Sequence, residues 1–157
     1  MSDRAEASEP SPLRLVDEAA TVAFGHHLAE RLVQDFAGRA LVFLHGQLGA
    51  GKTTLVRGVL QHFGYSGAVK SPTYTLLEPY TLNGQDAFHF DLYRVADPEE
   101  LAFVGFDEII DGPGIKLIEW PERASDWLPQ ADVDVYIEVV EAGDDHPPQR
   151  QVKMRFD

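Results

Sequence analysis

The chain has 157 residues, of which 44% are hydrophobic and 10% aromatic, so it can build one compact domain with a single core. It contains no cysteine, which excludes disulfides and thiolate metal sites and is compatible with a reducing cytoplasm. The formal net charge is −13. Because proteins that bind nucleic acid by neutralising its phosphates carry a basic surface, this charge argues against direct binding of DNA or RNA.

The N-terminal stretch differs in composition from the rest of the chain. Residues 1–12 are rich in Ser, Glu, Ala and Pro, which predicts a disordered tail before a single domain over residues 13–157. This stretch is acidic, unlike a secretory or transit signal, and no apolar run approaches the roughly 20 residues that span a bilayer. We therefore expect a cytoplasmic protein with no membrane contact. Asp17 predicts the N-cap of a helix that continues to about Phe36.

A strand, a glycine-rich loop and a helix are predicted in succession over residues 40–60. The apolar run from Ala40 to Leu44 is typical of a strand buried on both faces of a parallel sheet. The next residues, "GQLGAGKT", match G-x-x-x-x-G-K-[ST], the phosphate-binding loop (P-loop) of nucleoside triphosphatases. Glycines let backbone N–H groups approach a polyphosphate, and the N-terminus of the following helix favours the same anion. Lys52 is expected to reach the β- and γ-phosphates, and the Thr53 hydroxyl to ligate Mg²⁺.

The predicted nucleotide contacts cover this loop and the first turn of its helix. They are Gly46, Gln47, Leu48, Gly49, Ala50, Gly51, Lys52, Thr53 and Thr54. A chance glycine cluster at a strand-to-helix turn is the alternative interpretation. The apolar strand before the loop, and the helical repeat of apolar residues after it, favour the nucleotide site.

An antiparallel hairpin is predicted after this helix. Residues 75–82 alternate loosely as a strand, Asn83 and Gly84 form a strong turn signal, and a return strand runs from about Gln85 to Tyr93. The return strand places Phe88, Phe90 and Leu92 on one face and His89, Asp91 and Tyr93 on the other. Asp91 is thus expected to point away from the apolar layer.

One further helix and three strands are predicted in the last third of the chain. Asp97 is the predicted N-cap, and Pro98 the first residue, of a helix with the sequence "DPEELAFVGFDEII". A buried strand runs from Ile115 to Ile118 and ends at Glu119, and a short helical segment follows it. The alternating "VDVYIEVVE" predicts an outer strand, with "QVKMRFD" antiparallel to it across a turn at residues 143–148.

A P-loop enzyme needs a second acidic group to hold Mg²⁺ and to place the attacking water, and two carboxylates are candidates. Glu119 ends an apolar strand, and Asp91 lies on the polar face of another. Residues 71–75, "SPTYT", lie where a mobile loop carrying a hydroxyl could close on the γ-phosphate. Arg94 and Arg123 are candidate charge stabilisers. The sequence does not show which of Asp91 and Glu119 binds the metal and which serves hydrolysis. For each of these candidate side chains, a surface position without a role in the site is the alternative interpretation.

Four motifs together carry a family resemblance. "GQLGAGKTTLVRGVL", "VKSPTYTLLEPY", "HFDLYR" and "LIEWPER", in this order and spacing, resemble the bacterial TsaE (YjeE) family, the ATPase of tRNA threonylcarbamoyladenosine biosynthesis. The similarity covers about Asp17 to Val140. It implies one α/β P-loop NTPase domain with a central, mostly parallel sheet, flanking helices and added antiparallel hairpin strands. It also implies Mg²⁺-dependent ATP hydrolysis in a complex with TsaB and TsaD, weak for the chain alone. That machinery modifies the adenosine next to the anticodon of ANN-decoding tRNA.

The resemblance also implies roles for single residues. Thr53 and Glu119 would bind Mg²⁺, while Lys52, Asp91 and the threonines of "SPTYT", chiefly Thr75, would serve hydrolysis. Trp120 would belong to a switch that responds to partners. Thr21 aligns with the family's contact to the nucleotide base. Whether Arg150 approaches the nucleotide is left open.

Three other functions were weighed against this one. A small P-loop kinase needs an arginine-rich lid and an acceptor pocket, and arginine is thinly spread here. A nucleotide-gated binding module would carry the same loop, with hydrolysis incidental. A GTPase switch is disfavoured because the chain has no Asn-Lys-x-Asp signature for guanine.

Overall fold

Seven strands form a single sheet in the computed structural model, which describes residues 11–69 and 76–157. The strands are β1 (Leu13–Leu15), β2 (Ala40–His45), β3 (Leu77–Leu82), β4 (Gln85–Asp91), β5 (Ile115–Glu119), β6 (Val133–Val140) and β7 (Gln149–Phe156). The helices are α1 (Glu18–Phe36), α2 (Lys52–His62) and α3 (Phe106–Asp111), with 3₁₀ helices at Pro98–Val104 and Pro121–Trp127. None of the helices in these two ranges is long and apolar enough to cross a membrane.

The sheet is mixed, with order β1-β7-β6-β2-β5-β4-β3. Its four central strands, β6, β2, β5 and β4, are parallel, while β3 at one edge and β7 and β1 at the other add antiparallel pairs. The expected parallel centre with antiparallel hairpin strands is therefore present, although antiparallel pairing takes a larger share than "mostly parallel" implies. Because parallel strands end at a common edge, the carboxyl ends of β2, β4 and β5 lie side by side.

One face of the sheet is covered by α1 and α2. As predicted, Asp17 is the N-cap of α1, and its side chain accepts a hydrogen bond from the N–H of Ala20 at 2.8 Å. The helix ends at Phe36, and Ala37 follows in the left-handed region at φ 55°. Leu28 and Leu32 of α1 are fully buried against the sheet together with side chains of α2. Burial of this apolar stripe holds both helices on the sheet.

The two helices approach closely at a pair of glycines. A Cβ atom on Gly58 of α2 would lie 2.2 Å from the carbonyl oxygen of Val22 in α1, and one on Gly25 would lie 2.4 Å from that of Leu55. A Gly-to-Ala change inside a helix normally stabilises by roughly 0.5–1 kcal/mol, whereas overpacking a core costs roughly 1–3 kcal/mol. Here the clash is with backbone, so the cost exceeds the gain.

We therefore expect Gly58→Ala to lower the free energy of unfolding by about 1–2 kcal/mol, measured by urea denaturation. The matched control is Gln61→Ala on the exposed side of the same helix, which is expected to stay within about 0.5 kcal/mol of wild type. A Gly58→Ala protein more stable than wild type would show that helix propensity decides and that the helices are not in close contact.

The other face of the sheet is covered by short helices. Phe90 of β4 packs edge-on against Phe106 of α3 with ring centroids 5.2 Å apart, and both are fully buried. Asp97 caps the first 3₁₀ helix with Pro98 in its first turn, as predicted. The single helix predicted for residues 97–110 is wrong, because Gly105 takes a left-handed φ of 69° and separates a 3₁₀ helix from α3.

The hairpins follow the sequence pattern with two corrections. The turn at Asn83 and Gly84, with φ of 51° and 82°, joins β3 to β4 as expected. The return strand ends at Asp91, two residues before the predicted end. β6 does pair antiparallel with β7, but it is not an outer strand, because β2 lies on its other side. The sequence reading also omitted β1, whose three residues are too few to show a period.

The predicted tail falls largely, and the predicted "SPTYT" loop wholly, outside the described ranges. The predicted tail, residues 1–12, is described only at Ser11 and Pro12, and β1 begins at the next residue. Of the predicted strand over residues 75–82, the described part forms β3 from Leu77. Thr75 and the rest of "SPTYT" lie outside the described residues.

Candidate functional site

Residues 46–51, the glycine loop, join the carboxyl end of β2 to the first residue of α2. Gly49 and Gly51 have φ of 81° and 111°, which favour glycine. A Cβ on Gly46 would lie 2.5 Å from the carbonyl oxygen of Ile137, so this position also tolerates no side chain. The first N–H groups of a helix have no partner within it. The loop therefore presents backbone donors and a positive helix end at the edge of the sheet.

Lys52, the first residue of α2, lies at the base of the loop and is 4% exposed. Its Nζ donates a hydrogen bond to the Gly46 carbonyl at 2.6 Å and lies 3.9 Å from the centroid of the Trp120 ring. Burial lowers the pKa of Lys52, and the nearby carboxylates of Glu119 and Asp91 oppose this shift. The ammonium therefore lies near the carboxylates of Glu119 and Asp91 and against the face of the Trp120 ring.

Thr53 and Glu119 are in direct contact beside the lysine. The Thr53 hydroxyl donates to Oε2 of Glu119 at 3.1 Å. Glu119 ends β5 and is paired in register with Leu44, near the end of β2, which brings it to the glycine loop. A hydroxyl and a carboxylate are oxygen ligands of the kind that Mg²⁺ prefers, and Mg²⁺ completes its shell with water and substrate phosphates. This pair therefore fits the predicted ion.

Asp91 ends β4, next to β5, and is paired in register with Glu119. Its Oδ1 accepts a hydrogen bond from the N–H of Tyr93 at 3.0 Å. Burial raises the pKa of Asp91, and the negative charge of Glu119 raises it further. The Tyr93 hydrogen bond and the charge of Lys52 act in the opposite direction. Both candidate acids therefore lie at the same edge of the sheet as the loop.

The raised pKa of Asp91 predicts a pH-dependent gain in stability for Asp91→Asn. A carboxyl whose pKa is higher in the folded chain favours folding below its unfolded pKa, and this contribution is lost as the pH rises through the folded value. The stability of Asp91→Asn relative to wild type should therefore increase from acid to neutral pH in the absence of nucleotide. Melting temperatures across this range measure it, with the exposed Asp126→Asn as the control for charge. A difference that stays constant or decreases with pH would contradict the burial of a charged Asp91.

These side chains line one pocket of about 220 Å³. Its lining residues are Leu48, Gly49, Gly51, Lys52, Thr53, Thr54, Asp91, Glu119, Trp120 and Arg150. Of the other predicted contacts, Ala50 is buried, and Gly46 and Gln47 line a separate groove beside β6 and β7. Thr21 lines an adjoining pocket of about 90 Å³ with Glu18, Gly51, Thr54 and Arg150. Gly51 and Thr54 belong to both pockets, so Thr21 lies next to the glycine loop.

Two further residues contribute to the site: Arg150, whose approach the sequence left open, and His89, to which it assigned no role. Arg150 of β7 donates to the carbonyls of Ala50 at 3.2 Å and Gly49 at 3.1 Å, and it lines both pockets. His89 of β4 is fully buried, with Nε2 at 2.6 Å from Oε2 of Glu119. His89 lies on the same face of the strand as Asp91, and this shared face is the sequence signal that could have placed His89 near the site. No local sequence pattern predicts the position of Arg150, which reaches the loop because of the order of the strands in the sheet.

Trp120 and the two candidate arginines lie around the mouth of the site. Trp120 has a left-handed φ of 59°, and its ring lies 4.8 Å from that of Tyr93. The guanidinium of Arg123 lies over the Tyr93 ring at 5.4 Å. Arg94 is exposed. Neither arginine is among the residues that line the pocket, so the structure does not place them as charge stabilisers.

Comparison with known proteins assigns the chain to a family. The family model of "Threonylcarbamoyl adenosine biosynthesis protein TsaE" matches residues 15–152. The tRNA threonylcarbamoyladenosine biosynthesis protein TsaE of Haemophilus influenzae is 50% identical over 123 residues, 78% of each chain. That of Rickettsia felis is 38% identical over 115 residues, 73% of this chain and 67% of its own. The crystal structure of Bacillus subtilis YdiB superposes with a TM-score of 0.69 and 27% identity, over 95% of this chain and 87% of that one. The chain belongs to the TsaE family.

Proposed function

We propose that this protein has the P-loop NTPase fold and is a Mg²⁺-dependent ATPase of tRNA threonylcarbamoyladenosine formation that works with TsaB and TsaD. Membership of the TsaE family supports the pathway. The observation that carries the activity is the meeting of Lys52, Thr53, Asp91 and Glu119 in one pocket beside the glycine loop. The two acids come from neighbouring strand ends, the arrangement in which α/β sheets bind their ligands.

The glycine loop and Lys52 bind the phosphates in this proposal. The loop offers backbone N–H groups, and the ammonium supplies the charge that a β- or γ-phosphate oxygen needs. The Gly46 carbonyl accepts a hydrogen bond from the ammonium at 2.6 Å, which holds Lys52 beside the glycine loop. A phosphate oxygen is a charged acceptor and would make a stronger hydrogen bond to the ammonium than this neutral carbonyl does.

Thr53 and Glu119 are the residues that would hold Mg²⁺, through the hydroxyl and the carboxylate that contact each other at 3.1 Å. When bound, Mg²⁺ neutralises charge on the β- and γ-phosphates. Asp91, with its raised pKa, is suited to orient the attacking water and accept its proton. Thr75 remains the predicted hydroxyl partner in hydrolysis. Thr21 and its pocket of about 90 Å³ are the proposed contact for the base.

The partners are proposed from the family and from the charge of the chain. A net charge of −13 disfavours direct contact with tRNA, so the effect on tRNA would pass through TsaB and TsaD. ATP still binds, because the loop amides, Lys52 and the metal act locally. Hydrolysis by the chain alone is expected to be slow, and Trp120, in contact with Lys52, is the proposed point where partners change it.

Replacement of a bacterium's own TsaE by this chain tests the proposal. We expect wild type to restore threonylcarbamoyladenosine in ANN-decoding tRNA, measured by mass spectrometry of tRNA nucleosides, and Lys52→Ala to fail. With purified TsaB and TsaD, all γ-phosphate consumed should appear as inorganic phosphate, faster than with the chain alone. Recovery of the γ-phosphate on a metabolite would favour the kinase alternative. Restoration by Lys52→Ala as complete as by wild type would overturn the role of ATP.

A further inference from the structure

We propose that His89 is a positioning residue that fixes the Glu119 carboxylate for its contact with Mg²⁺. The inference rests on the proposed function, because it assigns a device that holds one of the proposed metal ligands. Within the described ranges, His89 lines neither of the two pockets and is hydrogen-bonded to the site at Glu119. His89 differs from a histidine that only fills the core, because it holds the Glu119 oxygen that also accepts from Thr53.

His89 and Thr53 donate to the same oxygen of Glu119. Oε2 accepts from His89 Nε2 at 2.6 Å and from the Thr53 hydroxyl at 3.1 Å. His89 comes from β4, behind the pocket, whereas Thr53 comes from α2, at the pocket wall. The carboxylate is thus held between the core of the sheet and the helix that follows the glycine loop.

The hydrogen bonds of the imidazole select one tautomer. An ionised carboxylate can only accept, so His89 must carry its proton on Nε2. Nδ1 is buried and has no hydrogen-bond partner among residues 11–69 and 76–157. A proton on Nδ1 would bury an N–H without a partner, at a cost in free energy. The Nε2–H tautomer avoids this cost and directs its ring N–H at Glu119.

The hydrogen bond between His89 and Glu119 matters because glutamate is a flexible ligand. A free Glu side chain has several rotamers to lose when it binds an ion, and the hydrogen bond removes that freedom before the ion arrives. Partners that orient a metal ligand in this way typically change metal affinity by about 10–100-fold when they are removed. We expect an effect of this size at His89, acting on the metal rather than on the phosphates.

The test compares ADP affinity with Mg²⁺ and with EDTA by isothermal titration calorimetry in two variants. His89→Leu removes the donor at similar volume and should reduce the enhancement of ADP affinity by Mg²⁺ at least 10-fold, with affinity in EDTA unchanged. His89→Gln can place an amide N–H near the position of Nε2 and should recover most of the enhancement. Phe90→Leu is the control, since it changes a fully buried side chain of the same strand on the opposite face.

Two outcomes would overturn the inference, and one further outcome separates it from the proposed function. A His89→Leu protein with the wild-type Mg²⁺ enhancement would show that His89 is only a core residue. NMR of the imidazole nitrogens in wild type should show the Nε2–H tautomer, and an Nδ1–H tautomer would overturn the inference even if His89→Leu fails to fold. Wild-type ADP binding that is indifferent to Mg²⁺ would instead remove the proposed metal site itself, and this inference with it.

Discussion

Lys52→Ala is expected to lower kcat for ATP hydrolysis at least about 100-fold, because it removes the charged donor aimed at the transferred phosphate. Among residues 11–69 and 76–157, Lys52 is the one ammonium that lines the pocket, and burial already lowers its pKa. Nucleotide affinity should fall as well, since the proposal has the lysine contact phosphate both before and during the reaction. Phosphate release measured in the presence of TsaB and TsaD gives the rate.

The matched control for the lysine is Arg31→Ala. Arg31 pairs with Asp35 at 2.8 Å on the surface of α1, so this change removes one positive charge outside both pockets. We expect its hydrolysis rate to be that of wild type. Equal activity of Lys52→Ala, Arg31→Ala and wild type would mean that the glycine loop does not hold the reacting nucleotide.

Glu119→Gln should raise the Mg²⁺ concentration needed for hydrolysis and reduce kcat by about 100-fold or more, since it removes the negative charge of the proposed metal ligand at nearly constant volume. The amide oxygen can still accept hydrogen bonds from His89 and Thr53, so the fold should survive. ADP affinity in EDTA should be close to wild type, because the loop amides and Lys52 remain. Hydrolysis rates over a Mg²⁺ titration separate these effects.

An exposed acid provides the comparison for this variant. Glu138 of β6 contacts Gln151 at 3.2 Å and lies outside the pocket, so Glu138→Gln makes the same chemical change without a role in metal binding. Its activity and Mg²⁺ dependence should match wild type. If Glu119→Gln keeps the wild-type Mg²⁺ titration, another side chain holds the ion, and Asp91, at the adjacent strand end, becomes the first candidate.

Local patterns in the sequence predicted the parts of the site that one segment contains. The glycine loop, Lys52 and Thr53 lie together because a strand, a tight turn and a helix are contiguous in the chain. Glu119 is a candidate because it ends a predicted strand, and Asp91 because it lies on the polar face of another. Both strands end at the same edge, since parallel strands bring their carboxyl ends together. The hairpin turn at residues 83–84 followed from the preference of Asn-Gly for positive φ.

The remaining contacts depend on the strand order, which periodicity does not give. The alternating pattern of β6 shows that the strand has one buried face, but it does not show that β2 lies beside it. The pattern alone therefore predicts an outer strand. Arg150 reaches the loop only because β7 follows β6 in the sheet. His89 alternates with apolar residues like a solvent-facing side chain, yet the opposite face of this sheet is also covered, and the histidine is fully buried.

The proposed function requires that the glycine loop, with Lys52 and Thr53, bind a magnesium-bound nucleoside triphosphate. Isothermal titration calorimetry with a non-hydrolysable ATP analogue and Mg²⁺ tests it most directly, with wild type and Lys52→Ala measured side by side. We expect saturable binding of one nucleotide per chain, weakened by Mg²⁺ removal and by Lys52→Ala. No heat of binding to wild type at millimolar nucleotide with Mg²⁺ present, under conditions where the chain is folded, would contradict it.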